Sequence, residues 1–161
     1  MEAIVFYLLA AVVLIGTLFA ITARQAVRAI VYLVTSFFAL ALIFYLLGAP
    51  LVAAFEVIIY AGAIMVLFLF VIMMLQLGQP EKLPVPRLSD WWPALLLMGA
   101  LMASVVIIAA VRQPAPVPGF QQISVREFSV ALFTRFGIAV EIISMQLLFA
   151  LVGALYLGRR R

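Results

Sequence analysis

The chain has 161 residues, 69% hydrophobic and 10% charged, with a formal net charge of +4 and a mean hydropathy of +1.35. A water-soluble domain is about half apolar and about a quarter charged, so these proportions exclude a disordered chain, a secreted disulfide scaffold and an ordinary soluble enzyme. Cysteine and histidine are both absent, which removes thiolate-held iron–sulfur clusters, cysteine nucleophiles, histidine bases, most zinc sites and histidine-ligated haem. Three of the ten cations are the terminal Arg159, Arg160 and Arg161, an anchor at lipid headgroups. The rest are too scattered for a nucleic-acid stripe.

Five apolar runs follow one another, at 3–21, 29–47, 51–77, 91–111 and 136–157. Each is near the ~20 residues that cross ~30 Å of hydrocarbon. They are apolar all round, without the alternation of a barrel strand, and a helix satisfies its own backbone in lipid. The reading is an all-α, polytopic integral membrane protein with five transmembrane helices in a single membrane domain, 1–161. The first run opens Met1-Glu2 with no basic stretch, and Arg24 and Arg28 follow without a small-residue cleavage pattern. It is read as a retained helix rather than a signal peptide.

Gly48-Ala49-Pro50 predicts a tight turn that makes the second and third helices antiparallel neighbours. An inner loop, 78–90, carries Pro80, Pro84 and Pro86 and is too proline-rich for a helix. Asp90 is placed to cap the fourth helix, with Pro93 in its first turn and Trp91 and Trp92 at the interface. The outer loop, 112–135, carries Pro114, Pro116 and Pro118 and then Ser124-Val125-Arg126-Glu127. That spacing is a capping box and predicts a short surface helix running towards Arg135. Cations on alternate connections divide seven (Arg24, Arg28, Lys82, Arg87, Arg159, Arg160, Arg161) to three (Arg112, Arg126, Arg135). The positive-inside rule then sets the N-terminus outside and the C-terminus in the cytoplasm.

Two carboxylates, Glu56 and Glu141, fall within the apolar runs. Each lies about 8 Å of rise into its helix, in the third and the fifth. An ionisable group there costs ~3 kcal/mol on insertion scales and is a functional hypothesis by default. Either group handles protons or, as a hydrogen-bonded side chain near a helix start, ties helices together. Tyr60 lies four residues after Glu56 and shares a helical face with it, so its hydroxyl points towards that carboxyl or a neighbouring helix. Ala61-Gly62-Ala63 forms a small notch, which is either ordinary close packing or the place for a kink or π-bulge. Thr17, Thr35, Ser36, Ser104, Ser144 and Gln146 read as structural polar groups, and Met65, Met73 and Met74 as packing residues.

The stretch from Glu56-Val57-Ile58-Ile59-Tyr60-Ala61-Gly62-Ala63-Ile64-Met65-Val66 through Leu75 closely resembles the signature helix of subunit J of bacterial NADH–quinone oxidoreductase. That is the respiratory complex I chain corresponding to mitochondrial NADH dehydrogenase chain six. Ala26-Val27-Arg28-Ala29, Leu132-Phe133, Glu141, Ser144, Leu147-Leu148 and Gly153-Ala154 agree with the same family, while Phe136 stands where a tyrosine is frequent.

The resemblance implies a core membrane-arm chain of the bacterial cytoplasmic membrane with no electron carrier of its own. FMN, iron–sulfur clusters and quinone would lie in partner chains, and subunits K, A and H would be its membrane partners. It further implies a π-bulge near Tyr60, a coupling role for Glu56, Tyr60 and Glu141, and a gate at Tyr60, Ala61, Gly62, Ala63, Met65 and Val66. Passing between bulged and regular turns would rotate the later side chains by up to ~100°. The alternatives are a component of a multisubunit cation/proton antiporter and a purely structural scaffold subunit.

Overall fold

The computed structural model describes residues 2–76, 92–110 and 123–159, and all regular structure among them is helical. Five helical stretches are long and apolar enough to cross a membrane. α1 is Glu2–Thr22 and α2 is Ala26–Leu46. The third span, α3, runs without a break through Pro50–Phe55, Glu56–Ile64 and Met65–Gln76. α4 is Trp92–Ala110, α5 is Val125–Arg135 and α6 is Gly137–Gly158. The inner loop 78–90 and the proline-rich part of the outer loop lie outside the described residues, as do Trp91 and the Asp90 cap. The helices form two packing groups, one up to residue 120 and one from 121 onwards.

In the first group α2 is the hub, packing against α1, α3 and α4, while α1 also touches α4. α1 contributes a buried stripe of Val5, Leu9, Val12 and Gly16, a spacing that keeps one helical face inward. Tyr32 and Ala39 of α2 and Leu97 of α4 close the cluster. The α1–α2 crossing is set by small residues. The Ser36 hydroxyl donates to the Val13 carbonyl of α1 at 3.3 Å and to the Tyr32 carbonyl of its own helix at 3.2 Å. It occupies the space that a side chain at Gly16 would need. Close approach through small residues is how helices associate where lipid supplies no hydrophobic drive.

α2 starts at Ala26, earlier than the expected Ala29. The apolar run uninterrupted by charge begins only after Arg28, but the backbone is already helical, with the Ala29 N–H donating to the Gln25 carbonyl at 3.0 Å. At its other end, Gly48 has a φ of +80°. Its N–H donates to the Tyr45 carbonyl at 3.1 Å, and that of Ala49 reaches the Phe44 carbonyl at 3.0 Å. These two bonds make a Schellman ending, and Pro50 opens the next helix as its first residue. The expected tight turn is present.

Lone hydroxyls inside the spans are satisfied locally. Thr17 donates to the Val13 carbonyl at 2.7 Å, Thr35 to Val31 at 2.8 Å and Ser104 to Ala100 at 2.8 Å. This is the structural role expected of them. Large apolar side chains point outward along the spans, among them Ile4, Ile21, Leu67, Leu75 and Leu96. Such a surface suits lipid or partner helices, not water.

In the second group, α5 begins with the capping box that the sequence spells. The Ser124 N–H donates to the Glu127 carboxylate at 3.1 Å. Phe136 alone separates α5 from α6, accepting and donating helical bonds on either side. Removing the acceptor with Glu127→Ala is expected to speed hydrogen exchange at the Ser124 amide by about fivefold. Native-state exchange read by mass spectrometry checks it. An unchanged rate would show that the box carries no local stability.

Candidate functional site in the third helix

The middle stretch of α3, Glu56–Ile64, is a π-helix of nine residues. The Met65 N–H at its end reaches the Tyr60 carbonyl, five residues back, whereas a regular helix bonds four residues back. Small residues permit the widening. At Gly62 a Cβ would stand 3.1 Å from the Val57 carbonyl oxygen, which faces it across the wide turn. Glycine leaves that approach open.

Widening decides which side chains share a face. Ala53, Glu56, Ala61 and Met65 are the buried residues of α3. In a regular helix Ala61 would lie ~140° and Met65 ~180° around the axis from Glu56. At roughly 4.4 residues per turn they come to within about 50° and about 20° of it. The inward row beneath Glu56 therefore exists because the turn is wide. Val66, beside Met65, points outward with 61% of its surface exposed.

Glu56 is 9% exposed. α2 is the helix against which this part of α3 packs. Tyr60 turns towards the neighbouring helix α2. It is half exposed, and its ring lies against Phe37 of α2, with centroids 5.5 Å apart and planes at 47°. Four residues on, Tyr60 stays within about 40° of Glu56 around the axis in either winding, so its contact with Phe37 comes from the packing of α2 against α3. Ala63 faces outward.

Glu141 belongs to the second group, in α6. Its side chain is exposed, and its backbone carbonyl accepts the Ser144 hydroxyl at 2.7 Å. Sequence reasoning passed over two features. One is Phe37 as the partner of Tyr60, which no spacing within either helix reveals. The other is Gly16, whose place on the Leu9 stripe was a usable signal.

Fold and site together define a polytopic α-helical protein whose third span combines a buried glutamate with a widened turn. Residues 16–157 match the NADH-ubiquinone/plastoquinone oxidoreductase chain 6 family, and the chain belongs to that family. It is similar to NADH-quinone oxidoreductase subunit J of Pseudomonas aeruginosa, with 39% identity covering 96% of this chain and 95% of that protein. Subunit J of Escherichia coli strain K12 is 36% identical, over 96% of this chain and 85% of the relative. The chloroplastic NAD(P)H-quinone oxidoreductase subunit 6 of Nephroselmis olivacea is 37% identical, over 92% and 87%.

Proposed function

We propose that the chain is a core membrane-arm subunit of a proton-pumping NADH–quinone oxidoreductase in a bacterial cytoplasmic membrane. It couples quinone reduction to proton translocation through α3. Subunits K, A and H are its membrane partners, while FMN, the iron–sulfur clusters and the quinone belong to other chains. Family membership supports the assembly. One observation supports the coupling role: a buried glutamate, Glu56, at the start of a nine-residue wide turn.

The two features work as a unit. A π-helix inside a longer helix is bistable, because converting to regular turns keeps nearly all backbone hydrogen bonds while shifting their register. Conversion removes Ala61 and Met65 from the inward row and swings other side chains into it. An apolar barrier below Glu56 is thereby made or broken. Water reaching the carboxyl on one side of the cycle exchanges a proton with it, and the rebuilt barrier prevents return on the same path. Glu141 of α6 is a second proton-handling carboxyl, and the positive-inside bias sets the N-terminus of the chain outside.

Glu56→Gln tests this reading, since it preserves size and removes the exchangeable carboxyl proton. In the assembled complex, proton translocation per electron is expected to fall by at least about tenfold. The measurement is a pH-sensitive dye in proteoliposomes together with quinone reduction. An unchanged proton-to-electron ratio overturns the coupling role, as does a wide turn that persists through every state of turnover.

A further inference from the structure

Where α1 turns into α2, a cleft of about 450 Å³ opens between them, lined by Phe19, Thr22, Arg24, Gln25, Arg28 and Tyr32. The Phe19 and Tyr32 rings meet at 5.5 Å and form its apolar wall. Arg24 is exposed and Arg28 half-buried, and both contribute to the lining. The cleft lies apart from the wide turn and takes no part in the coupling scheme.

We propose that this cleft binds a phosphate-bearing anion, and specifically the headgroup of an anionic phospholipid. Two guanidinium groups at one concavity supply planar, multi-donor recognition of phosphate oxygens. The Thr22 hydroxyl and the Gln25 amide are within the same lining and suit the ester and glycerol oxygens. The last turns of α1 next to the cleft expose Leu18 at 61% and Ile21 at 77%, a path for acyl chains continuous with the cationic end. A soluble phosphate would use the arginines and leave that apolar path idle. Basic pockets between helix ends at the membrane surface are where anionic headgroups are held. A headgroup here clamps α1 to α2 where the chain passes from one to the other, beside Tyr32 of the core cluster.

The test uses the intact complex in nanodiscs of phosphatidylcholine doped with a phosphatidylglycerol that carries a photoactivatable group beside its headgroup. Crosslinked peptides are identified by mass spectrometry. Labelling within residues 19–32 is expected, competed by unlabelled phosphatidylglycerol and not by additional phosphatidylcholine. It should fall about fivefold for each arginine lost in Arg24→Gln and Arg28→Gln, and stay near the starting level in the Lys variants that keep the charge. Arg126→Gln, outside the cleft, should change nothing.

Competition by millimolar inorganic phosphate as strong as that by phosphatidylglycerol overturns the lipid assignment in favour of free phosphate. Equal labelling from a phosphatidylcholine probe overturns the anion specificity. A crosslink from this segment to another protein chain in place of lipid overturns the proposal outright. If the Gln variants fail to assemble, the competition arms on the unmodified complex decide it.

Discussion

Gly62→Val is expected to convert the wide turn of α3 into regular helix and to abolish most of the proton translocation that depends on it. A Cβ at this position stands 3.1 Å from the Val57 carbonyl oxygen in the π-helical arrangement, and the two methyls of valine extend that conflict. A regular turn accepts valine at a cost of only ~0.6 kcal/mol relative to alanine. Over-packing the wide turn costs ~1–3 kcal/mol. The balance therefore shifts towards the regular form by about 0.4–2.4 kcal/mol, roughly two- to sixtyfold. Electron cryo-microscopy of the assembled variant reads the helix directly, and Met65 should leave the inward row with Ala61. Proteoliposome pumping reads the consequence. A variant that keeps the wide turn, or that loses it and still pumps at full ratio, removes the basis of the proposed switch.

Gly16→Ala is expected to be the most damaging single methyl that can be added to the α1–α2 crossing. Its Cβ would overlap the Ser36 hydroxyl and stand 3.3 Å from the Tyr32 carbonyl. The hydroxyl must then give up the bonds that join it to Val13 and Tyr32, or the helices must separate. Either response costs about 1–3 kcal/mol and lowers the amount of chain retained in the assembled complex. Ser36→Ala alone should cost only about 0.6 kcal/mol, typical of a hydrogen bond between membrane helices.

The double variant provides the sharper measurement. Without the hydroxyl, the new Cβ meets the Cβ of position 36 at 3.7 Å, an ordinary contact. Gly16→Ala with Ser36→Ala should therefore be more stable than Gly16→Ala by itself, a non-additivity that thermal inactivation of the complex reports. Strictly additive losses would show that the two residues do not share this space.

Several features were legible because their signals are local. The five spans were readable, since length and apolarity alone mark them. The Gly48 turn and the Ser124–Glu127 box were readable because each needs a particular residue at a particular spacing. The candidate site was legible only in part. Glu56 stood out as a carboxylate in an apolar run, and Gly62 marked a weak point in the helix. Tyr60 could not be placed, because its contact with Phe37 depends on how α2 packs against α3. The cleft at Arg24 and Arg28 was invisible, since cations ahead of a span look the same whether or not a cavity lies between the helices.

By itself, the sequence determined that this is an all-helical chain with five spans, without thiolate or imidazole ligands, and with a carboxylate in the third. Composition and periodicity decide those points through the cost of exposing apolar surface or unpaired backbone, which is the same in every packing. Only the tertiary structure decided that α2 is the hub, that Gly16 receives the Ser36 hydroxyl, and that Glu56, Ala61 and Met65 form one inward row. Each of those depends on helix winding and on which backbones approach closely. A π and a regular turn differ by little in local energy, so the choice rests with contacts between helices that a one-dimensional pattern does not contain.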